Sequence, residues 1–277
     1  MWARSCSRSP PIEQRGAGGV ARSRVILHAI EAGDGPPLAL LHGLFGAARN
    51  FGAIQRRLAA RFRTLAIDLR NHGASPHAAE MDYPVMAADV RDTLDARGAL
   101  PAAMMGHSMG GKVAMRLALE RPEAVSRLVV GDIAPVRHEP HFRRFTQAMR
   151  ALALRPSLTR AAADAMLAPA VPDPAVRAFL LQNLHVGAEP DWRIGLDAIA
   201  AGLPEIEGWP GAGALAYPGP ALFIAGERSD YIRPKHRPAI RALFPAARFA
   251  TLKDAGHWLH ADNPEGFVAI LEGFLAA

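Results

Sequence analysis

The sequence predicts an α/β protein: a mainly parallel central sheet flanked by helices, with one helical insertion. Three observations carry this expectation. From residue 24 onward, short apolar runs of strand length alternate with longer stretches of helical period. One region, residues 136–216, breaks that alternation with helical patterns alone. At residues 105–111 the chain reads M-G-H-S-M-G-G, three glycines crowded where a strand gives way to a helix.

The elements follow in order. Strands are expected at 25–30 and 38–41; the second, L-A-L-L, is wholly apolar, as a strand buried on both faces must be. Helix 51–61, strand 64–67, helix 84–97, strand 102–105, helix 109–121 and strand 128–130 come next. After the insertion come strand 221–225, helix 236–244, strand 248–252 and helix 264–275. Strands separated by whole helices pair in parallel, and ligands of such sheets bind at the carboxyl ends of the strands.

The insertion shows helical patterns at 142–154, 158–167 and 175–184, with a weaker one at 192–201. Pro156, Pro169, Pro172, Pro174 and Pro190 punctuate them, and no convincing strand stands between Pro135 and Pro218. Emerging at a strand's carboxyl end, this region is expected to be a lid over the site. The chain then divides into a basic tail at 1–22, a core of 23–135 and 217–277, and a lid at 136–216. The tail lacks hydrophobic periodicity and is expected to be disordered.

Composition narrows the function classes. With 277 residues, half of them hydrophobic, the chain can bury a large single core. No apolar run is long enough to cross a bilayer. The net charge of +6 would suit nucleic acid. However, lysine stands only at Lys112, Lys235 and Lys253, and the other 29 of the 32 basic residues are scattered arginines. No recognition motif accompanies them, which argues against a nucleic-acid partner. Cys6 is the only cysteine, so neither an internal disulfide nor a thiolate metal cluster can form, and a reducing cytoplasm fits. The first 22 residues hold no secretory apolar core. No metal-ligand spacing and no dinucleotide-binding glycine loop is present, so no metal or cofactor is expected.

G-H-S-M-G, residues 106–110, matches G-x-S-x-G between a strand and a helix. That context makes a sharp turn which lifts the Ser108 hydroxyl above the sheet, with Gly106 and Gly110 allowing close packing beneath it. A serine needs a base. D-A-G-H-W-L-H offers two, His257 directly after Gly256 in the turn, and His260 near the next helix start, a place to pack or cap. L-L-H-G-L-F-G ends an early strand and can aim a backbone N–H into the site. The N–H groups of Leu44 and Met109 are the expected oxyanion donors. His42 is placed to hold that loop, and His107 to pack behind the serine. In D-L-R-N-H-G-A-S-P, Asp68 is a candidate acid but better fits a turn aspartate bonded to local backbone, and His72 is a weaker candidate for substrate contact.

These motifs give the sequence a specific resemblance. H-G-L-F-G, D-x-R-N-H-G-x-S-P, M-x-Y-P-x-M-A-x-D-V, G-H-S-M-G-G-K, D-I-A-P-V and A-G-H-W-L-H-A-D-x-P resemble the α/β-hydrolase superfamily over nearly everything after the tail. More narrowly they are similar to its small bacterial esterases and their mitochondrial relatives. The resemblance implies a cofactor-free hydrolase of carboxylic esters or acyl-CoA thioesters, with a small-molecule substrate, a serine nucleophile and a Ser–His–acid triad. In the superfamily the histidine comes last in chain order, which favours His257. A C–C bond hydrolase or a perhydrolase would use the same triad, and a non-catalytic ligand sensor could keep the scaffold. Arg137, Arg143 and Arg144, at the start of the lid, could favour an anionic leaving group.

The acid departs from the commonest pattern. Most relatives carry it in a G-x-x-D turn, and here G-E-R-S-D puts Ser229 in that slot and Asp230 one residue late. The resemblance of V-V-G-D-I-A-P-V to the esterase branch implies that the acid has moved to Asp132, with Ser229 adding a hydrogen bond. Asp230 is the alternative.

Overall fold

The computed structural model describes residues 24–276; the tail expected at 1–22, with Cys6, lies outside the described residues. The first half runs β1 (Ala29–Ala32), β2 (Pro37–Leu41), α1 (Gly52–Leu58), β3 (Arg63–Ile67), α2 (Tyr83–Ala96), β4 (Ala102–His107), α3 (Met109–Glu120) and β5 (Val125–Gly131). Then come α4 (Arg143–Arg150), α5 (Arg160–Leu167), α6 (Pro174–Leu181), β6 (Leu184–His185), β7 (Asp191–Trp192) and α7 (Leu196–Glu207). The chain closes with β8 (Ala221–Gly226), α8 (Arg237–Leu243), β9 (Ala247–Leu252), α9 (Leu259–Asp262) and α10 (Pro264–Leu275).

Seven strands form one sheet in the order β1-β3-β2-β4-β5-β8-β9. Only the edge strand β1 is antiparallel to its neighbour. Because strand side chains alternate between faces, each central strand feeds two cores. Ala39, Leu41, Met104, Leu128, Val130 and Phe223 pack on one face, and Leu38, Leu40, Met105, Val129, Leu222 and Ile224 on the other. Each buried leucine or phenylalanine contributes about 1.5–3 kcal/mol. The apolar runs without polar interruption therefore mark strands covered on both sides.

Helix ends follow local chemistry. Asp82 caps α2 through Val85 N at 2.8 Å, Asp173 caps α6 through Ala175 N at 2.8 Å, and Asn263 caps α10 through Gly266 N at 2.9 Å. Pro174 and Pro264 occupy first-turn positions, where no N–H is needed.

Three local expectations shift. The first strand begins at Ala29 rather than 25; before it, Leu27 donates to Thr93 Oγ1 of α2 instead of to a neighbouring strand. The weak helix at 192–201 moves to 196–207, because Trp192 pairs with Leu184. Between β5 and β8 the chain is helical apart from this two-residue ladder, too short to leave a periodic signal in the sequence.

Candidate active site

Ser108 occupies the turn from β4 into α3 with φ 52° and ψ −119°, a left-handed conformation costly for a residue with a Cβ. Tight packing maintains it. A Cβ on Gly106 would lie 2.2 Å from Gly110 O, and one on Gly110 would lie 2.3 Å from Leu41 O. Only glycine permits helix and strands to approach that closely. Ser108 N donates to Gly131 O on β5 at 2.9 Å, and Lys112 N donates to Ser108 O at 3.1 Å as the helix begins.

The loop after β9 brings His257 over this serine. Its Nε2 stands 3.1 Å from Ser108 Oγ, and its Nδ1 stands 2.8 Å from Asp132 Oδ2. A carboxylate only accepts, so Nδ1 carries the proton and Nε2 is left to accept from the serine. His107 Nε2 donates to the His257 carbonyl at 2.7 Å, and the Tyr231 ring stacks on the imidazole at a centroid distance of 4.1 Å.

Asp132 ends β5 in a left-handed conformation, φ 49°, with no exposed surface. Besides His257, it accepts from Gly226 N at 3.1 Å and from the Ser229 hydroxyl. Asp230 does not join them. Its carboxylate is 81% exposed and pairs with Arg233 at 2.7 Å. The one-residue offset in G-E-R-S-D thus turns the serine inward and the aspartate outward.

The turn after β2 faces the serine from the other side. Leu44 and Met109 line one small hollow with Ser108, and neither N–H donates to another described residue. For Met109 this follows from its place in the first turn of a helix. His42 holds the turn: its ring bonds Gly43 O at 2.8 Å and accepts from Leu69 N at 3.0 Å. His72 is buried and accepts from Phe45 N at 3.1 Å, so it supports the turn rather than facing the site. Burial pushes it down to about 3, which keeps Nε2 free to accept. Asp68 lies away from His257 and accepts from Ala48 N at 2.6 Å and Ala74 N at 2.9 Å. Burial opposes its ionisation, but those backbone donors together with His42 and His28 outweigh burial and hold its carboxyl below the usual range.

Burial also keeps two neighbouring imidazoles uncharged. It holds His107 well below its ordinary range and lowers His260 to about 4, with repulsion from His257 adding to both. His260 packs on Phe51 and His107, with its Nδ1 buried and unpartnered among the described residues. Neither ring therefore sets a charge beside His257. Burial likewise raises Tyr231 to about 12, with Asp132 and Glu207 adding to the shift, so it stays a neutral phenol.

A cavity of about 420 Å³ opens on Ser108 and His257. Phe142 and Phe145 at α4, Val176, Phe179 and Leu180 on α6, and Trp258 beside His257 give it apolar walls. Phe179 meets Trp258 with ring centroids 5.5 Å apart. Arg137, Arg143 and Arg144 are exposed and outside these walls. Tyr231 carried no signal in the sequence, because its place is set by packing between distant loops. No helix among the described residues is long and apolar enough to cross a membrane.

Comparison with known proteins agrees with this architecture. The family model for the alpha/beta hydrolase fold matches residues 36–264. The sn-1-specific diacylglycerol lipase ABHD11 of Mus musculus is 42% identical over 250 residues, covering 87% of this chain and 81% of that one. Esterase YbfF of Escherichia coli (strain K12) is 37% identical over 242 residues, covering 86% and 92%. Among solved structures, a marine microorganism esterase superposes with a TM-score of 0.86 at 34% identity, covering 90% of this chain and 99% of that one. An unbroken strand–serine–helix turn, a mainly parallel sheet and these matches together establish that the chain belongs to the α/β-hydrolase family.

Proposed function

We propose that the protein hydrolyses carboxylic esters with an apolar acyl group through an acyl-serine intermediate. The observation that carries this reading is the hydrogen-bonded line Ser108–His257–Asp132, with spacings of 3.1 Å and 2.8 Å, at an apolar cavity. Ser108 Oγ attacks the ester carbonyl and passes its proton to His257 Nε2. Asp132 holds the Nδ1 proton and stabilises the imidazolium. The carbonyl oxygen becomes an oxyanion facing the N–H groups of Leu44 and Met109, a donation worth about 2.7–4 kcal/mol each in comparable sites. His257 then protonates the departing alcohol, and the acyl group stays on Ser108. Water, deprotonated by His257, releases the acid and restores the hydroxyl. The names of the relatives, an esterase and a diacylglycerol lipase, support an ester substrate of this kind. On this reading residues 136–216 are the lid, since residues between 141 and 180 wall the cavity.

Acyl-CoA thioesters fit the same chemistry, and one feature favours them. Tyr231 and His141 line both the apolar cavity and an adjoining hollow where Arg137, Arg233 and Lys235 outnumber the acids Glu139 and Asp230, Arg233 being paired with Asp230, a setting for a phosphorylated leaving group.

A fluorophosphonate should label the wild-type protein and leave Ser108→Ala unlabelled; an unlabelled wild type would mean an inert pocket and a ligand-binding role. A panel of nitrophenyl esters and acyl-CoAs of matched chain then ranks the two substrate classes. Neutralising Arg137, Arg233 and Lys235 together should lower the thioester-to-ester ratio, and an unchanged ratio removes the thioester reading.

A further inference from the structure

The turn that carries Leu44 is held by two hydrogen bonds of its own, one to His72 in the turn after β3 and one from far along the chain. Gly43 O accepts from Gly46 N at 2.9 Å and from the His42 ring at 2.8 Å. Phe45, left-handed at φ 63°, donates its N–H to His72 Nε2 at 3.1 Å. Its carbonyl accepts from Asn183 Nδ2 at 2.7 Å, across 138 residues of sequence. Asn183 comes from the inserted region, between α6 and β6, and is 1% exposed.

The segment around Asn183 is itself anchored. Arg49 Nη2 donates to Gln182 O and Asn50 Nδ2 to Gln182 Oε1, both at 3.0 Å. Arg160 bonds the carbonyls of Leu181 and Leu184. Asn183 Oδ1 has no partner among the described residues, so the side chain is buried for what its amide donates. One donated bond goes to Phe45 O, and a longer one of 3.3 Å returns to Leu180 O.

We propose that Asn183 is a positioning residue for the oxyanion turn: its amide locks the Phe45 carbonyl and so the 45–46 peptide, whose Gly46 N–H bonds Gly43 O and thereby fixes the 43–44 peptide that presents the Leu44 N–H. A left-handed residue relaxes toward the right-handed region unless its peptide groups are held. His72 holds the peptide before Phe45, and Asn183 holds the one after. Rotation of the 45–46 peptide takes the Gly46 N–H off Gly43 O and frees the peptide that presents the Leu44 N–H, and small misplacements of such donors are costly. The insertion therefore contributes to the chemical step as well as to binding. The inference rests on Leu44 and Met109 being the oxyanion donors.

The test compares wild type, Asn183→Leu and Asn183→Asp, with thermal unfolding of each. Asn183→Leu removes the donor. Asn183→Asp keeps size and shape but sets a carboxylate against a carbonyl, and it decides the matter if Asn183→Leu does not fold. Two inhibitors sharing one acyl chain are measured: a trifluoromethyl ketone, which adds Ser108 and forms an oxyanion, and the methyl ketone, which binds without adding. Both variants should lose about tenfold to hundredfold in kcat and a similar factor in trifluoromethyl ketone affinity. KM and methyl ketone affinity should stay within about twofold. Equal losses for both inhibitors, or no loss in kcat, would overturn the proposal. A wild type with no preference for the trifluoromethyl ketone would instead overturn the oxyanion assignment beneath it.

Discussion

The strand-end turns of the sheet and the helical region between β5 and β8 build the two sides of one cavity by different physics. In the turns, Phe45, Ser108 and Asp132 all adopt positive φ, and close backbone approaches at Gly106 and Gly110 pack the serine turn while one at Gly226 packs a strand end against the loop of His257. The sheet thus sets the reacting atoms by excluded volume. The helical region shares the apolar core on one face of the sheet and is registered there by polar bonds, several of them to carbonyls at helix ends, where four acceptors are always left over. Asn183 reaches Phe45 O, Arg49 reaches Gln182 O just past α6, and Lys112 and Tyr83 reach Gly208 O and Ile206 O at the end of α7, each at 2.5 Å. Close backbone packing fixes the strand-end turns, whereas side-chain packing and a few directional bonds hold the opposite wall.

The contrast can be broken first at the turns. Asp132→Asn should lower kcat by up to about 10⁴-fold, and Asp230→Asn should leave it near wild type. Steady-state kinetics with circular dichroism decides this, and the reverse order would return the acid to the turn after β8. In the helical region the effect should be smaller and selective for substrate. Phe179→Ala should cost about tenfold in kcat/KM on long-chain esters and little on acetyl esters, since it removes acyl contact alone. An equal loss on both would mean that α6 shapes the reacting centre too.

The smallest effect concerns the attachment of α7. Burial lowers Lys112 to about 7, with Arg137 repulsion adding, against an ordinary value of about 10.4. Between these values the unfolded chain binds the extra proton, so the wild type should gain stability as pH rises from 7 to 10. Lys112→Met should lack that gain. The Tm of the wild type minus that of Lys112→Met should rise across the window, at roughly 2–4 °C per kcal/mol for a chain of this size. A constant difference would show that Lys112 stays charged in the fold.

Residues whose placement is written in adjacent residues were legible before any coordinates. Ser108 is framed by glycines that only a close-packed turn needs, and His257 by a glycine in a strand-end loop. The motif around Leu44 announced a turn, though not that His72 would brace it. The exchange of roles among Asp132, Ser229 and Asp230 was half legible. A missing residue in the usual slot showed that something had moved, but the choice depended on which side chain the turn aims inward. Asn183 and Tyr231 carried no signal, because their partners lie 138 and 26 residues away along the chain.

What the sequence determined by itself is therefore local and periodic: the alternation that builds a doubly covered sheet, the glycines that permit the serine turn, and the order of its elements. Tertiary structure alone decided which carboxylate meets His257, which imidazoles are buried neutral, and which side chain of the inserted region reaches Phe45. The physical reason is range. Propensity and pattern act over a few residues. A hydrogen bond is set by final positions to within a few tenths of an ångström, and only the packed sheet fixes those positions.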